Sequence, residues 1–149
     1  MSLIASLLPP ANVLATLDAS SKKRVFEEAS QLFEAQAGLS HDVVFDKLFT
    51  RERLGSTGLG QGVAIPHSRI DGLTEATGAF IRLPAPIPFD APDGRPVNLI
   101  FVLLVPADAN DTHLQLLSEL AQMFSDRAFR ESLLAAPDAT TLHALFTGW

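Results

Sequence analysis

One segment constrains the fold of this chain more than any other, the run Val97–Val105. Eight of its nine residues are apolar, which suits a strand that is buried on both faces of a sheet. Such a strand needs helices on each side of the sheet, and amphipathic segments both precede and follow it. The pattern predicts an α/β fold: a single-domain sandwich over residues 1–149, in which a central mixed β-sheet is flanked by helices on both faces.

Apolar residues at helical spacing, together with capping residues, predict five helices around this strand. The predicted helices run from Ser20 or Ser21 to Gly38, from Ser40 to between Arg51 and Leu54, after a polar loop over 107–111, over Arg127–Ala135, and from the cap Asp138 to Gly148. The second of these ends beside a glycine-rich segment and delivers arginines to it.

Two further strands are predicted, one over Val63–Ile65 and one over Thr77–Leu83. The segment Pro84–Phe89 holds three prolines, so it is expected to be an edge strand or a loop. Asp93-Gly94 is a turn signal before the central strand.

The composition excludes several classes of function. A net charge of −6 argues against nucleic acid and anionic membranes as partners, because both favour basic surfaces. Cysteine is absent, which excludes disulfides and thiolate metal sites. The apolar N-terminus is cut short by Pro9-Pro10, and no apolar run reaches the 18 residues that a membrane span needs. These features predict a cytoplasmic protein without membrane insertion.

Cofactor motifs are also missing. The four histidines are scattered with no local ligand pair, so no metal is expected. The segment Gly55–Gly62 superficially resembles a P-loop, but Gln61 stands where the lysine would be and a strand follows instead of a helix. The dinucleotide fingerprint and the serine-hydrolase elbow are absent as well. We expect no cofactor.

The segment Gly58–Arg69 carries the strongest functional signal. Three glycines precede a short apolar strand, Pro66 fixes φ and is expected to stop the strand ladder, and His67 follows, held where the strand ends. The stretch from Lys47 to Arg69 has four basic residues and one acidic residue, a net charge of +3 in an otherwise acidic chain. Arginines and glycine-rich turns both bind phosphate, so the pattern favours a phosphoryl group meeting a histidine. The plainer interpretation is a loop with solvated arginines.

His113 shares the placement of His67, since it opens the helix after the central strand. A helix N-terminus disfavours imidazolium, so a neutral His113 could donate an N–H to an anion, although it could equally be an ordinary residue of an exposed first turn. His41 lies beside a helix cap and His143 lies among core-facing residues of the last helix, so neither is expected to be functional.

Together these residues resemble the enzyme IIA domain of the fructose/mannitol class of the bacterial phosphotransferase system. The resemblance rests on the run from Leu54 to His67, on Arg51 placed 16 positions before the histidine, and on Thr112-His113-Leu114 beyond it. It extends over nearly the whole chain. Within that class the chain is most similar to the stand-alone, nitrogen-related members found in proteobacteria.

The resemblance implies that Nε2 of His67 accepts a phosphoryl group from an HPr-like phosphocarrier of the NPr or HPr type. It implies that Arg51 neutralises phosphate charge, that His113 hydrogen-bonds the phosphate, and that the glycine loop, through Gly60 and Gly62, supplies backbone donors. Relatives often have glycine at the position of Ser68, whose hydroxyl is here expected to donate to the phosphate.

The function that follows is a phosphorelay regulator whose phosphorylation state changes its binding to target proteins in nitrogen, carbon or potassium regulation. Two alternatives stay open at this stage. One is a sugar-specific IIA component that passes phosphate to a IIB cysteine during uptake. The other is a protein-binding module that keeps the fold without phosphotransfer, against which the presence of His67, Arg51 and His113 counts.

Overall fold

The computed structural model of the chain describes residues 3–109 and 111–149. Five α-helices were predicted, and the structure places helices at all five positions. They are α1 (Lys22–Ala37), α2 (His41–Leu54), α3 (Asp111–Ser125), α4 (Arg127–Ala135) and α5 (Ala139–Thr147). A short 3-10 helix, Pro10–Asn12, precedes them and was not predicted. Asn110, in the predicted polar loop before α3, lies outside the described residues, as do Met1 and Ser2.

The helix ends follow from capping. The side chain of Ser21 accepts from the N–H of Arg24, and Gly38 ends α1 with a φ of 70°, which favours glycine. Ser40 precedes α2 as predicted, but its side chain makes no capping bond. The Glu34 carboxylate instead accepts from the backbone N–H of His41 at 3.0 Å, so α1 caps α2.

Six strands form one mixed sheet. They are β1 (Val13–Leu14), β2 (Gly58–Gly60), β3 (Val63–Ala64), β4 (His67–Ile70), β5 (Thr77–Ile87) and β6 (Val97–Pro106). The order is β1-β5-β6-β3-β2, and β4 also pairs with β6. The predicted central strand is therefore correct, because β6 hydrogen-bonds to β5 on one side and to β3 and β4 on the other. The two-residue strand β1 and the strand β2 were not predicted.

The sheet separates two apolar cores. Alternate residues of β6, such as Phe101 and Leu103, pack with the N-terminal segment and with α3, α4 and α5. The residues between them, such as Val102 and Leu104, pack with α1 and α2. Because successive side chains of a strand point to opposite faces, this alternation confirms helices on both faces of the sheet.

The proline-rich segment after Leu83 continues β5 to Ile87 but has few sheet partners. Its ladder with β6 shifts between Arg82 and Ile87, and β1 pairs only with Phe80 and Ile81. The prolines therefore lie at an edge of the sheet, where a missing N–H costs no ladder bond. The predicted turn before β6 is also present, because Gly94 has a φ of 71° and its N–H donates to Ala91 O at 2.9 Å.

One prediction about Pro66 is wrong. The residue does not end the strand on β6, because β3 and β4 lie in line along the same side of β6 and in the same register. Pro66 lacks an N–H, but its carbonyl accepts from the N–H of Leu103 at 2.9 Å. An edge strand needs only one set of its groups for pairing, so proline is tolerated there. His67 consequently begins β4 instead of following a strand end.

No helix in the described ranges 3–109 and 111–149 is long and apolar enough to cross a membrane.

Candidate functional site

His67 is held in a defined orientation by a bond to its own strand. Its Nδ1 lies 2.8 Å from the carbonyl oxygen of Ile65. A carbonyl oxygen can only accept, so Nδ1 carries the proton in this contact and Nε2 of the neutral ring carries the free lone pair. The ring is half-buried. The geometry therefore presents Nε2 as the nucleophilic atom.

The surroundings keep this imidazole neutral. Burial is the largest effect and lowers the pKa of His67 below its ordinary value of 6.5, and the nearby Arg51 guanidinium lowers it further. The hydrogen bond to Ile65 and the carboxylate of Glu52 act in the opposite direction, but the net pKa shift is downward. At neutral pH the lone pair is therefore available.

His113, in the first turn of α3, reaches His67 from above the sheet. The two ring centroids are 5.4 Å apart and the planes are nearly perpendicular, at 83°. Nδ1 of His113 is buried and has no hydrogen-bond partner among the described residues. Burial lowers the pKa of His113, and the neighbouring His67 and Arg69 lower it further. The structure thus brings together the two histidines that the sequence singled out.

Arg51 lies in the last turn of α2, at the position the sequence predicted. One guanidinium nitrogen, Nη1, donates to the carbonyl oxygen of Gly55 at 2.9 Å. No ion pair joins Arg51 to an acidic side chain within residues 3–109 and 111–149. The adjacent Glu52 is bonded instead to Lys22 and Thr57. The guanidinium is therefore positioned by the backbone and still free to bind an anion.

A cavity of about 350 Å³ connects Arg51 to His67. Its walls come from the loop after α2, from the strand segments on either side of Ile65, and from one face of α3. The lining residues are Arg51, Ser56, Thr57, Gly58, Leu59, Ile65, His67, Leu117, Ser118 and Ala121. The cavity is partly open, so the site can accept a group carried by another molecule.

The glycines predicted as phosphate donors lie elsewhere. Gly60 and Gly62 flank Gln61 in the β2–β3 turn, where all three residues have positive φ. Gly60 borders a separate cavity with Gln61 and Arg130, and a Cβ on Gly62 would lie 3.2 Å from Asn98 Oδ1. Of the glycines in this segment that the structure describes, Gly58 is the one that lines the His67 cavity. The two predicted glycines shape the turn that precedes β3.

Ser68 lies on the other side of the sheet from the His67 ring. In the parallel ladder His67 pairs with Leu103 and Ser68 pairs with Leu104, and these two leucines belong to the two different cores. Ile70, which shares the face of Ser68, is buried against α1 and α2. Strand alternation therefore directs the Ser68 hydroxyl away from the cavity, contrary to the predicted donation to phosphate.

The remaining histidines have partners away from the site, in keeping with the prediction. His41 Nδ1 lies 2.9 Å from Glu34 Oε2, which raises the pKa of His41. His143 Nε2 lies 2.9 Å from the carbonyl oxygen of Leu8 and joins α5 to the N-terminal segment. In the part of the chain that the structure describes, no three histidine, aspartate or glutamate side chains are grouped to hold a metal ion.

The arrangement has a counterpart among known proteins. A family model for the phosphoenolpyruvate-dependent sugar phosphotransferase system, EIIA 2, matches residues 6–148. The chain belongs to this EIIA 2 family. Family membership implies a phosphocarrier and a IIB-type protein as partners. It agrees with the resemblance on which the roles of His67, Arg51 and His113 were predicted.

The most similar EIIA 2 relatives carry one name. The chain is 46% identical over 128 residues to the nitrogen regulatory protein of Klebsiella oxytoca, covering 85% of this chain and 79% of that protein. It is 42% identical over 146 residues to the nitrogen regulatory protein of Pseudomonas aeruginosa, covering 93% and 91%. The crystal structure of nitrogen regulatory protein IIA-Ntr from Neisseria meningitidis matches with a TM-score of 0.93 and 54% identity, covering 98% of this chain and all of that one.

Two residues of this EIIA 2 chain that shape the site were missed in the sequence. Glu52 is buried, and its carboxylate accepts from the Thr57 hydroxyl at 2.6 Å and from Lys22 Nζ at 2.9 Å. The available signal was that Glu52 is the single acidic residue in the basic stretch from Lys47 to Arg69. An acid in that place was counted only against the net charge, although it marks a buried ion pair.

Proposed function

We propose that this protein is a phosphorelay regulator in which Nε2 of His67 accepts a phosphoryl group from an HPr-like carrier. The observation that carries the proposal is the 2.8 Å contact from His67 Nδ1 to Ile65 O, which leaves Nε2 free beside a guanidinium without an acidic partner. The nitrogen–phosphorus bond of the carrier breaks as the bond from Nε2 to phosphorus forms. The carrier ring keeps the electron pair, and the proton on Nδ1 of His67 stays in place.

Arg51 and His113 have matching roles in this proposal. Phosphoryl transfer passes through a loose transition state in which charge spreads over the phosphoryl oxygens, so positioned donors contribute most of the catalysis. Arg51 can offer guanidinium N–H groups beyond the one that Gly55 takes. The neutral His113 ring can offer one N–H to the phosphate, and its edge-to-face contact keeps it beside His67.

The surface around the cavity supports a protein as the phosphoryl donor. Leu54 is 82% exposed in the last turn of α2, and Leu114, next to His113, is 67% exposed. Leu59 lines the cavity and is 46% exposed. Large apolar side chains exposed around a polar centre are typical of sites that contact other proteins. A carrier that docks there would bring its phosphohistidine to Nε2.

The output of the protein is a change in binding. A phosphoryl group adds about −1.5 to −2 charges at neutral pH, which changes the fit of this surface to regulatory target proteins. The name nitrogen regulatory protein, shared by the relatives above, favours such an output over sugar uptake. The carrier is then of the NPr or HPr type, and the protein acts where such carriers do, in the cytoplasm.

Labelling with phosphoenolpyruvate tests the proposal. The protein is incubated with labelled phosphoenolpyruvate, enzyme I and either carrier, and we expect an acid-labile, alkali-stable label that is absent from His67→Ala. His143→Ala serves as the control, since its ring lies against Leu8 and should leave labelling unchanged. No label from either carrier would favour the binding module, and label passed on to a IIB protein would favour sugar transport.

A further inference from the structure

We propose that Glu52 is a positioning residue for the phosphoryl acceptor: through Thr57 and Ile65 it holds the carbonyl group to which His67 Nδ1 donates. This inference rests on the proposed function, because it assigns a role in the same site. Glu52 itself does not line the cavity. It acts through a chain of hydrogen bonds that begins at α1 and ends at the imidazole.

The first part of that chain surrounds the Glu52 carboxylate. The residue is 7% exposed. Its oxygens accept from the backbone N–H of Thr57 at 3.1 Å, from the Thr57 hydroxyl at 2.6 Å, and from Lys22 Nζ at 2.9 Å. A buried carboxylate with this many donors is well satisfied and has one geometry. It fixes the loop after α2 against the first turn of α1.

The second part passes from Thr57 to the ring. The carbonyl oxygen of Thr57 accepts from the N–H of Ile65 at 3.0 Å. The carbonyl oxygen of Ile65 accepts from His67 Nδ1 at 2.8 Å. Pro66, between them, has a fixed φ and limits the freedom of the backbone that joins Ile65 to His67. A displacement of Thr57 is therefore transmitted to the orientation of the imidazole.

Glu52 also explains why Arg51 has no acidic partner. Neighbouring residues of a helix do not face each other, so the two side chains leave α2 in different directions. The Glu52 carboxylate is held by Lys22, which lies over the ring of Phe89 at 4.5 Å and 3.5 Å from Asp90 Oδ2. The acid thus supports the site from the interior while the guanidinium of Arg51 remains open to an anion.

The test compares variants of the full chain by two readouts. Nitrogen-15 NMR of the His67 ring gives the fraction of the Nδ1–H tautomer and its pH titration, and carrier-dependent labelling gives the phosphorylation rate. Glu52→Ala and Thr57→Val should lower the Nδ1–H fraction, and Glu52→Ala should slow labelling about tenfold to a hundredfold, as expected when a reacting group is misplaced. Thr57→Ser, which keeps the hydroxyl, should restore the wild-type tautomer and rate.

Asp138→Ala is a matched control. Asp138 caps α5 and, like Glu52, accepts from both the N–H and the hydroxyl of a threonine, Thr141, at 2.8 and 2.7 Å. Its loss should lower stability without moving the His67 tautomer. Glu52→Gln separates charge from geometry: it should keep the Nδ1–H tautomer but lower the pKa of His67, because the carboxylate of Glu52 raises that pKa.

A wild-type tautomer fraction and labelling rate in folded Thr57→Val, and in Glu52→Ala where it folds, would overturn the positioning role. If Glu52→Ala does not fold, Thr57→Val decides alone. The proposed function fails by a different result, namely no label on the wild-type protein or undiminished label on His67→Ala. The tautomer measurement needs no carrier, so the two failures can be told apart.

Discussion

The imidazole rings of His67 and His113 meet edge to face with centroids 5.4 Å apart, although one opens an edge strand and the other opens the helix after the central strand. Each ring contributes to lowering the pKa of the pair, since the charge on His67 disfavours a charge on His113. Two neutral rings at one place can serve as acceptor and donor to the same phosphoryl group. Protonation of either would disturb that arrangement.

The first prediction concerns stability in mild acid. The folded-state pKa values of both rings lie below the ordinary value of 6.5, so between that value and the lowered values the unfolded chain binds more protons. Stability therefore falls as the pH drops below about 6.5 and through the lowered values. The double variant His67→Gln, His113→Gln should lose less stability than wild type between pH 7.5 and 5, as measured by urea unfolding.

His41 provides the opposite sign as a check. Glu34 raises its folded-state pKa, so its contribution is present below 6.5 and is lost as the pH rises through the raised value. His41→Gln should therefore make the loss of stability on acidification steeper than in wild type. Equal pH dependence in wild type and the double variant would contradict the first prediction.

The second prediction concerns Arg51. A neutral histidine is already the main form at pH 7, so the greater effect on rate must come from stabilising charge on the phosphoryl oxygens. Loss of one charge-assisted hydrogen bond, worth about 1.5–3 kcal/mol, slows a reaction roughly tenfold to a hundredfold. Arg51→Ala should show this loss in carrier-dependent labelling while the unfolding transition stays near that of wild type.

Arg53→Ala is the control for Arg51, because Arg53 lies in the same last helical turn but stacks 5.4 Å over the ring of Phe49. It removes the same charge from the basic stretch without touching the cavity. Equal labelling rates in the two variants would mean that only the general charge of the stretch matters, and would remove Arg51 from the site.

The helices and the central strand could be predicted because their signals are local. Apolar spacing and caps such as Ser21 and Asp138 determine helix ends from a few neighbouring residues. Residues of the site were recognised for a similar reason, since the segment leading to His67 is a contiguous motif. The facts that depend on a single long-range bond were the ones that sequence could not supply.

Pro66 and Glu52 illustrate the limit. Proline predicts a strand end, and only the position of β6 shows that its carbonyl suffices to continue the ladder to Leu103. That error also obscured the face of Ser68, which depends on the strand continuing. Glu52 pairs with Lys22, 30 positions away, and no periodicity connects the two residues.

The third prediction concerns Arg82, which joins β5 to the C-terminal end of α4. Its Nη1 donates to Leu133 O and Ala136 O at 2.8 and 2.7 Å, and its Nε donates to Ala15 O at 2.9 Å. Arg82→Met leaves these carbonyl groups without their donor, and bonds to a charged group are worth about 1.5–3 kcal/mol each. The free energy of unfolding should fall by at least that amount in a urea titration.

Arg127→Met is the comparison for Arg82. Arg127 pairs with Glu131 one turn along α4, and its side chain is 82% exposed. Such surface pairs are screened by solvent, so the substitution should change stability much less than Arg82→Met does. Similar losses in both variants would show that the buried carbonyl groups do not depend on Arg82.

The last prediction concerns Ser68, where relatives often have glycine. Ser68 shares the face of Ile70, and it is absent from the residues with positive φ, so neither its hydroxyl nor its backbone is needed at the His67 ring. Ser68→Gly should leave the labelling rate near that of wild type. It should cost about 0.5–1 kcal/mol of stability, because glycine loses more backbone freedom in a strand. A marked drop in labelling with unchanged stability would instead mean that the hydroxyl reaches the phosphoryl group.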